Sequence, residues 1–216
     1  MLLVFYISSI AKYMKNNQKV IMLHGWTDGD IADIPEFLPD NPANWMGWTK
    51  QELEKIGYKV FTPFIRYGYK SDYEDWKKKI EKYDIDENTI LVGWSSGGAF
   101  WVRWLGETKQ RVKKLILVAP AKVVGNSKMN NAKGINPEQR LQWDKFHDFI
   151  TDPTIKDRVA EIIIFISNDA DWLVEASNLY KKELNAKLIN IPDQGHFTNK
   201  ERLSPEFTKI LEYFKS

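Results

Sequence analysis

The chain has 216 residues, 43% of them hydrophobic and 13% aromatic, with 31 Lys and Arg against 29 Asp and Glu. That is enough apolar material for one domain with its own core and excludes general disorder, while a net charge of +2 gives no electrostatic reason to bind nucleic acid or an anionic membrane. Cysteine is absent, which excludes disulfides, thiol catalysis and cysteine-ligated metal, and His24, His147 and His196 are too few for a His-rich metal site.

Residues 1–11, MLLVFYISSIA, form the most apolar run. They are too few to cross a bilayer, which takes roughly 20 residues, and they lack the basic start of a secretory signal. Residues 1–18 are therefore read as an extension outside the fold, ahead of a single domain over 19–216 in a cytoplasmic protein. Short apolar runs then recur at 20–23, 59–61, 89–92, 114–118, 162–166 and 187–191. Most are continuous rather than alternating, as expected of strands buried on both faces. Between them lie helical patterns at 49–57 (with Thr49 as its cap), 72–83, 97–108, 174–185 and 205–214. Segments 27–44 and 120–140 read as loops. The alternation predicts a three-layer α/β/α sandwich on a mostly parallel six-stranded sheet without a large cap, and its chemistry belongs at the carboxyl ends of the strands.

One strand runs into Gly93-Trp94-Ser95-Ser96-Gly97 and then into an apolar helix. A nucleophile on a sharp strand–turn–helix junction needs small residues two positions to either side. Ser95 has Gly93 and Gly97 there, whereas Ser96 has Trp94, so Ser95 is the expected nucleophile. His196 follows the last strand in Gly195-His196-Phe197, placed to take the Ser95 proton and return it to the leaving group. The acid that orients it belongs after the strand at 162–166, where Asp169 and Asp171 compete, and residue chemistry alone does not separate them. The intermediate of acyl transfer needs two N–H donors aimed at its oxyanion, and those of Trp26 and Ser96 are the candidates. Trp94 and His24 are assigned to the substrate pocket, with the His24 ring also holding loops together. His147, on an expected helix without a partner motif, reads as structural or as pocket rim.

Taken together, His24-Gly25-Trp26, Trp45-Met46-Gly47-Trp48, Gly93-Trp94-Ser95-Ser96-Gly97, Ser167-Asn168-Asp169 and Gly195-His196-Phe197 resemble the α/β-hydrolase superfamily. The likeness is strongest to its small lidless serine hydrolases related to retinoblastoma-binding protein nine, and it extends over nearly all of 19–214. The resemblance implies a Ser-His-Asp hydrolase of small esters or amides, without metal or cofactor, and it favours Asp169 over Asp171. Two features depart from the family pattern: Trp94 stands where His is frequent, and the acid loop lacks the usual proline. A binding module using the aromatic rim, or haloperoxidase- or lyase-like chemistry on the same scaffold, are the rival readings.

Overall fold

A computed structural model of the chain describes residues 18–26, 35–66, 70–123, 136–167, 171–199, 201 and 204–214. Residues 1–17 of the extension expected at 1–18 and the acid-loop residues 168–170 lie outside them.

Six strands, β1 (Lys19–Leu23), β2 (Lys59–Phe61), β3 (Ile90–Trp94), β4 (Val112–Val118), β5 (Val159–Ile166) and β6 (Lys187–Asn190), form one sheet in the order β2-β1-β3-β4-β5-β6. Every pairing in it is parallel. From β1 the chain steps outward to β2 and then crosses back to β3 on the other side. The carboxyl ends of β1 and β3 therefore face a switch point, where such sheets open a crevice.

The strands divide their side chains between two cores, which is why they read as unbroken apolar runs. Ile21, Leu23, Leu91, Leu115, Leu117 and Ile164 point into one core, with Trp76 and Ile80 of α2 (Tyr73–Ile80) and Phe100, Trp101 and Leu105 of α3 (Ser96–Thr108). Tyr180 and Leu184 of α5 (Asp171–Leu184) and Phe146 of α4 (Pro137–His147) join the same layer. The alternate residues Val20, Met22, Ile90, Val92, Ile116, Val118 and Phe165 meet α1 (Trp45–Lys55) and the chain end around α6 (Thr208–Leu211). Among the described residues no helix is long and apolar enough to cross a membrane.

Several boundaries differ from the sequence reading. Helix α1 begins at Trp45 rather than Thr49 because the Asn44 carboxamide accepts from the N–H groups of Met46 and Gly47, both at 3.0 Å, and donates to the Leu38 carbonyl at 2.6 Å. Thr49 is then buried inside the helix. Part of the expected loop at 120–140 is the start of α4, where Asn136 and Gln139 form a reciprocal capping box ahead of Pro137. The last helix is short: α6 gives way to a 3₁₀ turn, Glu212–Phe214. Its final carbonyls are taken by groups from the sheet side, the Tyr213 oxygen by Lys114 Nζ and the Phe214 oxygen by the Tyr58 hydroxyl.

Candidate active site

Ser95 occupies the single position between the end of β3 and the start of α3, with φ 53° and ψ −118°. A non-glycine residue there is strained by roughly 1–3 kcal/mol, a cost that the surroundings must over-determine. They do so through the main chain. The Ser95 N–H donates to the Val118 carbonyl at 2.9 Å, and its own carbonyl accepts from the N–H groups of Gly98, Ala99 and Ala121 at 3.0, 3.2 and 3.1 Å. The flanking glycines are obligatory. A Cβ on Gly93 would lie 2.5 Å from the Gly97 carbonyl oxygen, and one on Gly97 would lie 2.5 Å from that of Leu23.

The loop after β1 lies against this turn. A Cβ on Gly25 would stand 3.1 Å from the Cβ of Ser95 and 3.4 Å from the Trp94 ring. His24, buried at 2% exposure, holds the loop by both ring nitrogens: Nδ1 lies 2.6 Å from the Gly25 carbonyl, and Nε2 accepts from the Ile65 N–H at 2.8 Å. The ring therefore holds loops together, one of the two roles read for it from the sequence. Burial keeps it neutral, with its pKa down at about 4.

His196 stands on a tightly wound loop in which Asp193, Gly195 and Phe197 all have positive φ. The loop is held from several sides. Gln194 N–H donates to Ser167 Oγ at 3.1 Å, joining the loop to the carboxyl end of β5, and the buried Phe197 ring packs on Phe207. The His196 carbonyl accepts from Trp94 Nε1 at 2.8 Å, and its N–H donates to Glu201 Oε2 at 2.8 Å. The same Glu201 oxygen accepts from the Thr198 N–H and hydroxyl at 3.2 and 2.7 Å. The imidazole lies between the rings of Trp94 and Trp172, with centroids 5.5 and 5.4 Å away. Its Nε2 is buried and has no hydrogen-bond partner among the described residues, Ser95 included. Burial pulls the imidazole pKa down to about 4 against a smaller upward pull from Glu201.

The residue after Ser95 has a partner of its own. Ser96 Oγ lies 3.0 Å from His147 Nε2, while His147 Nδ1 lies 2.8 Å from the Trp143 carbonyl oxygen. Both Ser96 and His147 are fully buried. His147 stacks on Trp143 at 3.7 Å, and the Trp26 ring contacts Trp143 at 5.1 Å and His147 edge-on at 6.0 Å. Asp171 is exposed at the first residue of α5, and Asp169 lies outside the described residues.

A family model for serine hydrolases matches residues 33–214. The chain belongs to that family. This serine hydrolase is 29% identical over 206 residues to serine hydrolase RBBP9 of Rattus norvegicus, an alignment covering 94% of the chain and 97% of the relative. It is also similar to the ydeN gene product of B. subtilis, with a TM-score of 0.70 at 20% identity over 93% of this chain and 100% of that one. A structure described among carboxylesterases of the thaumarchaeon Nitrososphaera gargenis has a TM-score of 0.59 at 13% identity, over 92% of this chain and 89% of that one. These two structural likenesses establish the α/β-hydrolase architecture.

Two contributors to the site escape a reading of the sequence. The bond between Ser96 and His147 spans 51 positions, and no local pattern announces it. Glu201 lies in the hydrophilic run Thr198-Asn199-Lys200-Glu201-Arg202, where a carboxylate ordinarily stays hydrated. Because one Glu201 oxygen gathers three donors from the His196 loop, Glu201→Ala is expected to lower kcat/KM for p-nitrophenyl acetate roughly 10- to 100-fold through misplacement of the imidazole. Steady-state kinetics alongside a thermal melt checks this, since the residue is exposed and global stability should change little.

Proposed function

We propose that this serine hydrolase is a carboxylesterase for small esters, working through an acyl-enzyme at Ser95. The observation that carries the reading is a strained, main-chain-anchored Ser95 together with a buried His196 Nε2 that has no hydrogen-bond partner among the described residues. A neutral imidazole nitrogen kept free of other hydrogen bonds is what a general base requires. In this reading Ser95 Oγ attacks the ester carbonyl as His196 takes its proton. The oxyanion receives the N–H groups of Trp26 and Ser96, and collapse expels the alkoxide, which takes the proton back from His196. Water then repeats the sequence on the acyl-enzyme and releases the acid. Asp169 is the orienting carboxylate by the family pattern. The half-buried indoles of Trp94 and Trp172 against His196, with that of Trp26 half-buried against Trp143 and His147, favour an apolar acyl group over a charged one.

A fluorophosphonate probe is expected to label the folded protein once, with the adduct on the peptide containing Gly93–Gly97 when mapped by mass spectrometry. Labelling at another residue rejects Ser95. A folded protein that takes up no probe supports the binding-module reading instead.

A further inference from the structure

The oxyanion donors proposed above are main-chain groups, and a main-chain donor is only as well aimed as the residue that carries it. Ser96 is the first residue of α3, so its N–H has no acceptor within the helix and points out of the helix end. Its side chain, however, points into the fold and meets His147. The direction of this hydrogen bond is fixed by its neighbours. The Trp143 carbonyl can only accept, so His147 Nδ1 carries the ring proton; Nε2 is then a lone pair, and the Ser96 hydroxyl donates to it.

The second donor rests on the same support. The Trp26 ring packs on Trp143 and meets the edge of His147, and Trp143 and His147 are stacked on each other one turn apart on α4. That turn is itself well held. Phe146 between them is in the core, and Arg103 of α3 donates to the Lys145 carbonyl at 3.1 Å. One patch of α4 thus touches both residues whose amides are assigned to the oxyanion, one by a hydrogen bond and the other by ring contact. Nothing else about His147 requires a histidine. An apolar residue would fill the space, but it would leave the buried Ser96 hydroxyl without its acceptor.

We infer that His147 is a positioning residue of the oxyanion hole, fixing Ser96 through its hydroxyl and bracing Trp26 through its ring. The inference rests on the serine-hydrolase reading with Ser95 as nucleophile. Its scale follows from the chemistry: losing one oxyanion donor outright costs about 10²–10³ in kcat, so misaiming one costs less. His147→Phe is expected to lower kcat roughly 10- to 50-fold with KM changed less than about twofold, because only the transition state carries the oxyanion. Ser96→Ala, which keeps the amide but removes the hydroxyl, should give a similar loss. The double variant Ser96→Ala with His147→Phe should be little worse than either single one. His147→Gln, whose amide can donate to the Trp143 carbonyl and accept from Ser96, should recover most of the rate.

The deciding measurement is the affinity of a trifluoromethyl ketone, whose carbonyl takes up the serine oxygen to give a hemiketal oxyanion as the proton passes to the base, against that of the carboxylate product, for wild type and all four variants. Loss of ketone affinity in proportion to kcat, with product affinity unchanged and rescue by glutamine, supports the positioning role. A folded His147→Phe or Ser96→Ala protein with wild-type kcat overturns it, and so does a loss that glutamine fails to restore. Should His147→Phe not fold, Ser96→Ala and His147→Gln carry the same test. Ser95→Ala, assayed alongside, separates the two levels: full activity in that variant removes the underlying reading, whereas its inactivity with indifferent His147 variants removes only this inference.

Discussion

Ser95→Ala is expected to lower kcat for p-nitrophenyl acetate by about 10⁴- to 10⁶-fold, and His196→Ala by a similar factor. In the proposed mechanism the two groups act on one proton, so removing both should cost hardly more than removing either. The structure makes this a clean comparison, because four backbone hydrogen bonds of Ser95 hold the turn and none of them involves its hydroxyl. Alanine inherits the same turn and loses only the hydroxyl. Burst-phase release of p-nitrophenol should vanish in both variants while substrate-analogue binding persists. A Ser95→Ala protein within tenfold of the wild type would mean that another residue carries the acyl group.

The largest effect on stability is expected from mild acid. His24 and His147 are fully buried, each donates from Nδ1 to a carbonyl, and each accepts at Nε2. A proton added to His24 Nε2 would face the Ile65 N–H, which cannot accept. Burial accordingly lowers the two pKa values to about 4 and about 3, below the ordinary 6.5 of the unfolded chain. The folded pKa being the lower one, the neutral rings favour the native state fully above pH 6.5, and this advantage is lost as pH falls toward 4. Each ring then forfeits about 2 kcal/mol by pH 5, or about 4 kcal/mol for the pair, set against the 5–15 kcal/mol that holds a typical domain together. Urea denaturation at pH 7, 6 and 5 should show unfolding taking up about two protons or more between pH 6 and 5, a slope near 2.7 kcal/mol per pH unit. Uptake of less than one proton would refute the claim that both rings are neutral and buried. The same loss sets the acid limit of activity: unfolding should overtake the protein near the pH at which His196 itself becomes charged.

How much of this was legible in the sequence depended on how local each signal was. The central strands announced themselves because burial on both faces demands apolar residues at nearly every position, whereas the edge strands β2 and β6 are partly exposed and show only short apolar pairs. Ser95 was legible because steric demands fall on residues two positions away, and His196 because a glycine-led loop follows the last strand. Helix starts were harder. Asn44 outcompeted Thr49 as a cap through a contact with Leu38, which no periodicity records. The expected helix at 205–214 is α-helical only over 208–211 and ends in a 3₁₀ turn whose Tyr213 and Phe214 carbonyls bond to Lys114 and Tyr58, residues far away in sequence. His24 and His147 looked alike as isolated histidines near the site. Their different roles come from which groups the folded chain sets opposite each nitrogen, and that information is tertiary.

The main-chain anchoring of Ser95 has a further consequence for how such a protein changes over time. Four backbone hydrogen bonds hold the turn that carries Ser95, so natural variation or directed evolution can rebuild the outer aromatic rim, Trp172 for instance, while that turn stays put. Trp94 is less free, because its indole N–H also holds the His196 carbonyl.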